Sequence, residues 1–498
     1  MGGVRGVDSE GPIYGTVGYQ APEIGTEGPS VSSDLFTVAR ALAVLTFEFK
    51  GYQSTYKFTL PDGVPVLEQQ ESFARLLRRA TDPDPDRRFA SAGEMAEQLT
   101  GVLREVLAVA DGTPRPAFST VFSPELQAIG TELAGGDELA GGTTPPYLPD
   151  HGRAARPPVP PGGGARFAAP SGADIIAGIP MPQVDRADPA AGYLATLAGL
   201  DSGPRAAALA AAVSGDVTVP AEVAASAETR LALARAELDA GDYAGAGGTL
   251  ADLAAADPSD WRIAWTDGLR RLATGDAGAA GGAFSSVYDE LPGELAPKLA
   301  LAFAAEAAGD NASASRYFKL VWTVDRSCIS AAFGLARACL AAGDRPSAIA
   351  ALAAVPETSS YHAAAQIAAV RILVSPGVTG DDLHQAGGRL SRLTVDEARR
   401  QQLTVEILRA ALGWASSDRP AVTGQAAGSG QAAGSGRAAG SGRRGSGDGL
   451  ILGCEPNERS LRFGLEAGYR ALARLTSDRA RRITLIDMAN AVRPKTWS

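Results

Sequence analysis

Gly-Asp dipeptides stand at Gly241-Asp242, Gly275-Asp276, Gly309-Asp310 and Gly343-Asp344, each 34 residues after the one before. A fixed period over this length means one supersecondary unit laid down repeatedly, each copy packing on the next. With each Gly-Asp taken as the turn between two helices, units begin near Ala227, Trp261, Leu295 and Ile329. That register brings Ala234, Gly268, Ala302 and Ala336 to one position of the first helix. It brings Ala246, Ala280, Ala314 and Ala348 to one position of the second. Small residues recur where two close-packed helices must approach. Leu250, Phe284 and Phe318 follow four residues after the second-helix alanine, and Pro258 and Pro292 close the first two units, whereas Pro356 arrives early in the fourth.

Thirty-four residues is the length of a tetratricopeptide (TPR) repeat. The expected fold is therefore mainly α, with a TPR solenoid over 223–376 whose curved face suits binding rather than catalysis. Helical patterning continues over 361–374, 395–414 and 460–492, so 377–498 is read as capping helices. Two windows interrupt the pattern. Residues 141–172 are rich in Gly and Pro and too poor in apolar side chains to offset their ordering entropy, which makes them the disordered part of a linker over 113–222. Residues 424–449 repeat a hexad, Gln-Ala-Ala-Gly-Ser-Gly from 425 and 431 and Arg-Ala-Ala-Gly-Ser-Gly from 437, and read as a low-complexity loop.

Composition narrows the partners. Of 498 residues, Lys and Arg number 46 against 56 Asp and Glu, a net charge of -10 that argues against a nucleic-acid surface. Three cysteines (Cys328, Cys339, Cys454) and three histidines (His151, His362, His384), without C-x-x-C or H-x-x-x-H spacing, form neither a zinc site nor a disulfide framework. No metal site is assigned. A reducing cytoplasm is the expected compartment, and no apolar run approaches a membrane span.

The sharpest local motif is Gly15-Thr16-Val17-Gly18-Tyr19-Gln20-Ala21-Pro22-Glu23, which resembles the end of a protein-kinase activation segment. Asp34-Leu35-Phe36-Thr37-Val38-Ala39 resembles the start of the kinase F helix, with Ala39 in place of a glycine. Asp84-Pro85-Asp86-Arg87-Arg88 resembles the element before the last helix of the kinase C-lobe. The resemblance makes residues 1–112 a partial C-lobe. It implies a buried ion pair between Glu23 and Arg88, with Ala21 and Pro22 as structural neighbours, and puts Gly15, Thr16 and Tyr19 on the substrate side. Ser91 and Glu94 read as a capping box, and Met95, Leu99, Val102, Leu103, Val106 and Leu107 as one apolar helix face. Phosphoryl transfer also needs a Gly-rich phosphate loop, a strand lysine, a catalytic Asp and Asn, and a magnesium-binding Asp. None of these precedes Gly15, so no catalytic residue is assigned.

A kinase C-lobe, a linker and TPR units in this order, together with segments such as 76–85, 292–301 and 329–338, resemble the actinobacterial protein kinase G (PknG) family over almost the whole chain. The resemblance implies a cytosolic serine/threonine kinase that uses ATP and magnesium. It further implies TPR-mediated recruitment of forkhead-associated (FHA) domain substrates and possible homodimerisation. By the same resemblance Thr16 touches the catalytic Asp and lysine, and Asp34 braces the catalytic loop. Because that loop, the N-lobe and the family's rubredoxin knuckles find no match here, the chain by itself is expected to be inactive and to hold no cofactor. The rival reading is a catalytically empty TPR scaffold. Met1-Gly2 falls where the family has the last two residues of its magnesium-binding triplet, so Met1 is expected not to be the native start.

Overall fold

The computed structural model describes residues 15–131, 169–216, 218–417 and 449–494. Its backbone forms two compact units, Met1–Gly130 with Ala169–Ala338, and Thr131–Ala168 with Cys339–Ser498. Among the described residues the secondary structure is helical, apart from two isolated antiparallel bridges, Phe122 with Pro182 and Ile451 with Cys454. The chain is thus a mainly α protein. None of its described helices is long and apolar enough to cross a membrane.

The first unit opens with three lobe helices, Val31–Thr46, Glu71–Ala80 and Ala92–Asp111. Ser30 starts the first through a capping box with Ser33, satisfying amides that a helix start leaves open. Leu35, Ala39 and Ala43 meet Leu76, Leu77, Met95 and Val102 in one core closed by Phe49 and Phe89. The expected Ser91–Glu94 box is shifted at one end. Ser91 Oγ accepts from the Glu94 amide at 3.1 Å, but the Glu94 carboxylate turns to the Ala90 amide at 2.8 Å. The apolar face expected for the last lobe helix also needs correction. Leu103 and Leu107 are exposed, and Gln98 and Glu105 are buried instead, because this helix faces the repeats on a polar side as well as the lobe core.

The turns explain the 34-residue period. Gly241, Gly275, Gly309 and Gly343 all have φ between 78° and 87°, a left-handed conformation open to glycine without steric cost. In each, the glycine amide donates to a carbonyl three residues back and the aspartate amide to one five residues back, as in Asp242 to Glu237 at 2.8 Å and Asp276 to Arg271 at 2.9 Å. The same aspartate then caps the next helix. Asp242 accepts from Gly245, Asp276 from Ala279, Asp310 from Ser313 and Asp344 from Ser347. One dipeptide therefore ends one helix and starts its successor.

Residues 113–222, expected to be a linker, contain the helices Gly172–Gly178, Ala191–Leu197, Ser202–Ser214 and Ala221–Ala225. Of the window 141–172, residues 141–168 lie outside the described residues, as does all of 424–449 except Gly449. The second unit holds Arg345–Ala353, His362–Leu373, Gly380–Arg392, Glu397–Ser417, Glu458–Leu475 and Arg479–Val492 around Leu383, Leu403, Ile407, Leu461 and Leu465. Two features differ from expectation. A helix over Gly380–Arg392 follows a further positive-φ glycine, Gly377 (85°), which lies 34 residues after Gly343. The helix expected over 460–492 is two helices, divided where Asp478 caps the second by accepting from the Ala480 amide. The boundary between units falls within the Ile329–Ala341 helix rather than at 222/223 or 376/377.

Candidate functional site

The Gly15–Glu23 segment is held on the lobe from beneath. Glu23 and Arg88 form a bidentate pair, Nη1 to Oε1 at 2.6 Å and Nη2 to Oε2 at 2.9 Å, with 9% and 2% of each residue exposed. Burial raises the Glu23 carboxyl, and the bonds from Arg88 more than reverse it, leaving the group below its ordinary value. Arg88 Nε also donates to the Asp82 carbonyl at 2.7 Å, and its guanidinium lies over the Phe36 ring. Ala21 is buried and Pro22 half-buried beside the pair, whereas Gly15 and Thr16 are exposed. Tyr19 is half-buried edge-on to Tyr52, its carbonyl accepting from Thr37 Oγ1 at 3.0 Å. Asp34 stands exposed in the first turn of its helix.

Arg40 is the residue that sequence reasoning missed. Fully buried, it donates from Nε to the Gly18 carbonyl at 2.9 Å and from its two other nitrogens to Thr59, Tyr56 and Tyr52 carbonyls at 2.6, 2.7 and 3.1 Å. Burial draws its guanidinium below the ordinary value. It ties the Thr16–Tyr19 turn to the loop after the Val31–Thr46 helix. At Gly18 (φ 91°) any Cβ would stand 2.6 Å from the Tyr52 carbonyl oxygen, so only glycine fits.

The repeats back this lobe through a second polar cluster. Lys298, fully buried, pairs with Glu105 Oε2 at 2.7 Å and donates to the Pro292 carbonyl at 2.8 Å. Ser72 Oγ sits 2.6 Å from both Glu105 Oε1 and the Tyr288 hydroxyl. Arg75 reaches Asp289 at 2.5 Å and lies over the Tyr288 ring. Burial, then the Glu105 charge, pushes the Tyr288 phenol well above its usual range. Of the predicted packing positions, Ala234, Ala246, Ala280, Ala302, Ala314, Ala336 and Ala348 have no exposed surface. Gly268 is buried under Phe284, whose ring a Cβ would meet at 2.5 Å. The glycines 278, 281 and 282 lie inside the Ala277–Glu290 helix and cradle no phosphate.

The face made by the first helices of the repeats, expected to be open to partners, is covered by the chain itself. Residues 119–130 and 171–185 run along it, burying Phe122, Ile129, Ile175, Ile176 and Ile179 to 3% exposure or less. At ~1.5–3 kcal/mol for each buried side chain, these runs belong to the fold and are not a loose tether.

The family model described as the protein kinase G tetratricopeptide repeat matches residues 162–496. The chain belongs to the PknG family. A serine/threonine-protein kinase PknG of Mycolicibacterium smegmatis is 38% identical over 99% of this chain and 60% of its own length. A PknG of Mycobacterium leprae is 36% identical over 99% of the chain and 59% of its own length. The chain thus spans about 60% of the length of these curated PknG relatives.

Proposed function

We propose that this chain is the substrate-side and partner-recruiting portion of a PknG-type serine/threonine protein kinase acting in the cytoplasm. The observation that carries the reading is the Glu23–Arg88 pair, which together with Arg40 fixes the Gly-Thr-Val-Gly-Tyr turn on the lobe and leaves Thr16 exposed. In the intact reaction Thr16 and Asp34 would meet the catalytic loop, while ATP and magnesium would be held by that loop and the N-lobe. Among the described residues no three His, Cys, Asp or Glu side chains group as metal ligands. The residues present therefore do not fit magnesium-bound nucleotide, and no chemical step is derived through it. The TPR region would recruit a protein partner, by family resemblance an FHA-domain substrate, and would support homodimerisation.

The purified chain is expected to transfer no phosphate from ATP to an FHA-domain protein. Adding the amino-terminal part of the Mycolicibacterium smegmatis relative, through its catalytic loop, is expected to restore transfer. Saturable transfer by the chain alone would overturn the assignment of its inactive state. Binding of that part and of the FHA protein without any transfer would favour the second reading, a catalytically empty scaffold, for which the exposed Thr16 and Asp34 already argue.

A further inference from the structure

The first-helix face of the repeats reads its occupant by a regular code. Arg235 and Arg337, three periods apart and so at equivalent positions, point to carbonyls of the two covering runs, Ile176 at 2.6 Å and Gly130 at 3.5 Å. Glu228 and Ser330, also three periods apart, take backbone amides: Asp185 donates to Glu228 Oε1 at 3.0 Å and Ile129 to Ser330 Oγ at 2.7 Å. Between these ends Phe122 packs on Trp261 and Trp265, with centroids 5.2 and 4.8 Å away. Three residues on, Glu125 accepts from the Ile329 and Ser330 amides at 3.0 and 3.1 Å, the place where a helix start favours a carboxylate.

The two runs are unequal. The 171–185 run carries three fully buried isoleucines, and Gly172 lies so close to Ala273 that a Cβ would stand 2.4 Å from its Cα. The 119–130 run rests on two buried anchors, Phe122 and Ile129, and on bonds to its neighbour such as Ser123 amide to Met181 carbonyl at 2.7 Å. It contacts the repeats mainly through backbone groups, one ring and one carboxylate, a set that a different polypeptide could reproduce.

We propose that the 119–130 run is an intramolecular competitor for the first-helix face. It closes that face to protein partners until it is displaced by an extended segment with an aromatic side chain and, three residues later, a carboxylate. Tethering gives the run a high effective concentration, so a partner lacking either feature is excluded. The inference does not depend on phosphoryl transfer.

The test uses the full chain and a fluorescent peptide of residues 119–131. The chain with Phe122→Ala and Glu125→Gln, which empties the face in cis, is expected to bind this peptide at least tenfold more tightly than the unaltered chain. A peptide carrying the same two substitutions is expected to bind neither. Equal binding of the natural peptide to both chains, or of both peptides to the variant, would overturn the proposal. Hydrogen exchange on the unaltered chain guards against a variant that fails to fold. The Ser123 and Ile129 amides are expected to exchange faster than those of the Trp261–Ala273 helix, because the run opens without unfolding the repeats. Exchange of all of them at one rate would also sink the idea.

Discussion

Glu23 and Arg88 lie 65 residues apart in sequence and share two hydrogen bonds with almost no water access. Replacing Arg88 by Met strands a buried carboxylate, and a loss of ~3–5 kcal/mol is expected in urea unfolding, with Glu23→Gln costing less. Because the folded Glu23 carboxyl sits below its ordinary value of ~4.3, its stabilisation is complete above that value and is lost as pH falls through the lower, folded one. The unfolding midpoint of the unaltered chain should drop in that acid window more steeply than that of Glu23→Gln. Glu125 behaves oppositely. Burial pushes its carboxyl up to about 7, against the pull of the Ser330 and Cys328 bonds. Its contribution is therefore full below ~4.3 and fades as pH rises through about 7. The melting temperature of the unaltered chain should fall relative to Glu125→Gln between pH 5 and 8, and parallel curves would dismiss the effect. The Glu23–Arg88 pair was legible because a motif names both ends. Arg40 was not, since its partners are backbone carbonyls, which any sequence supplies and which leave no complementary charge to search for.

At the scale of elements, the Gly-Asp turn was legible as a period, and the structure supplies its cause in the glycine's positive φ and the aspartate's capping bonds. Gly275→Val forces a β-branched residue to φ near 87° and should lower stability by about 1–2 kcal/mol, read as a shift in the thermal midpoint. The further helix pair around Gly377 escaped a search for the dipeptide because Pro376-Gly377 replaces Gly-Asp there. Its capping passes to Thr379, which accepts from the Asp382 amide at 3.2 Å and returns a bond to Asp382. Where the lobe meets the repeats, Gly101 and Gly293 bring two backbones together. A Cβ on Gly101 would stand 2.3 Å from the Gly293 carbonyl oxygen, and one on Gly293 2.4 Å from that of Gln98. Gly293→Ala should therefore cost ~1–3 kcal/mol as an overpacked contact, and limited proteolysis should then release the lobe helices earlier. Periodicity could not reveal this contact, because it depends on two elements meeting, not on a pattern within either. The same meeting placed Gln98 and Glu105 inside a helix whose apolar pattern pointed to Leu103 and Leu107.

At the scale of the whole molecule, the lobe and the repeats share a buried ionic core. Lys298→Met alone should destabilise by ~3–5 kcal/mol, since Glu105 would be left charged and unpaired. Adding Glu105→Leu should recover much of that loss, and the coupling in a double-mutant cycle measures the pair. Simple additivity would show that the two do not interact. Nothing in the sequence joins Ser72 to Tyr288, which bond across 216 residues; the period and the kinase motifs each described their own stretch and were silent on the join. That separation sets a timetable during synthesis. At 5–20 residues per second, Tyr288 leaves the ribosome roughly 10–40 s after Ser72, and for that interval the lobe helices stand without their backing. An apolar face exposed for so long would invite aggregation. A face of Ser72, Arg75, Gln98 and Glu105 is hydrated while it waits and surrenders its water only when the second half of the contact arrives.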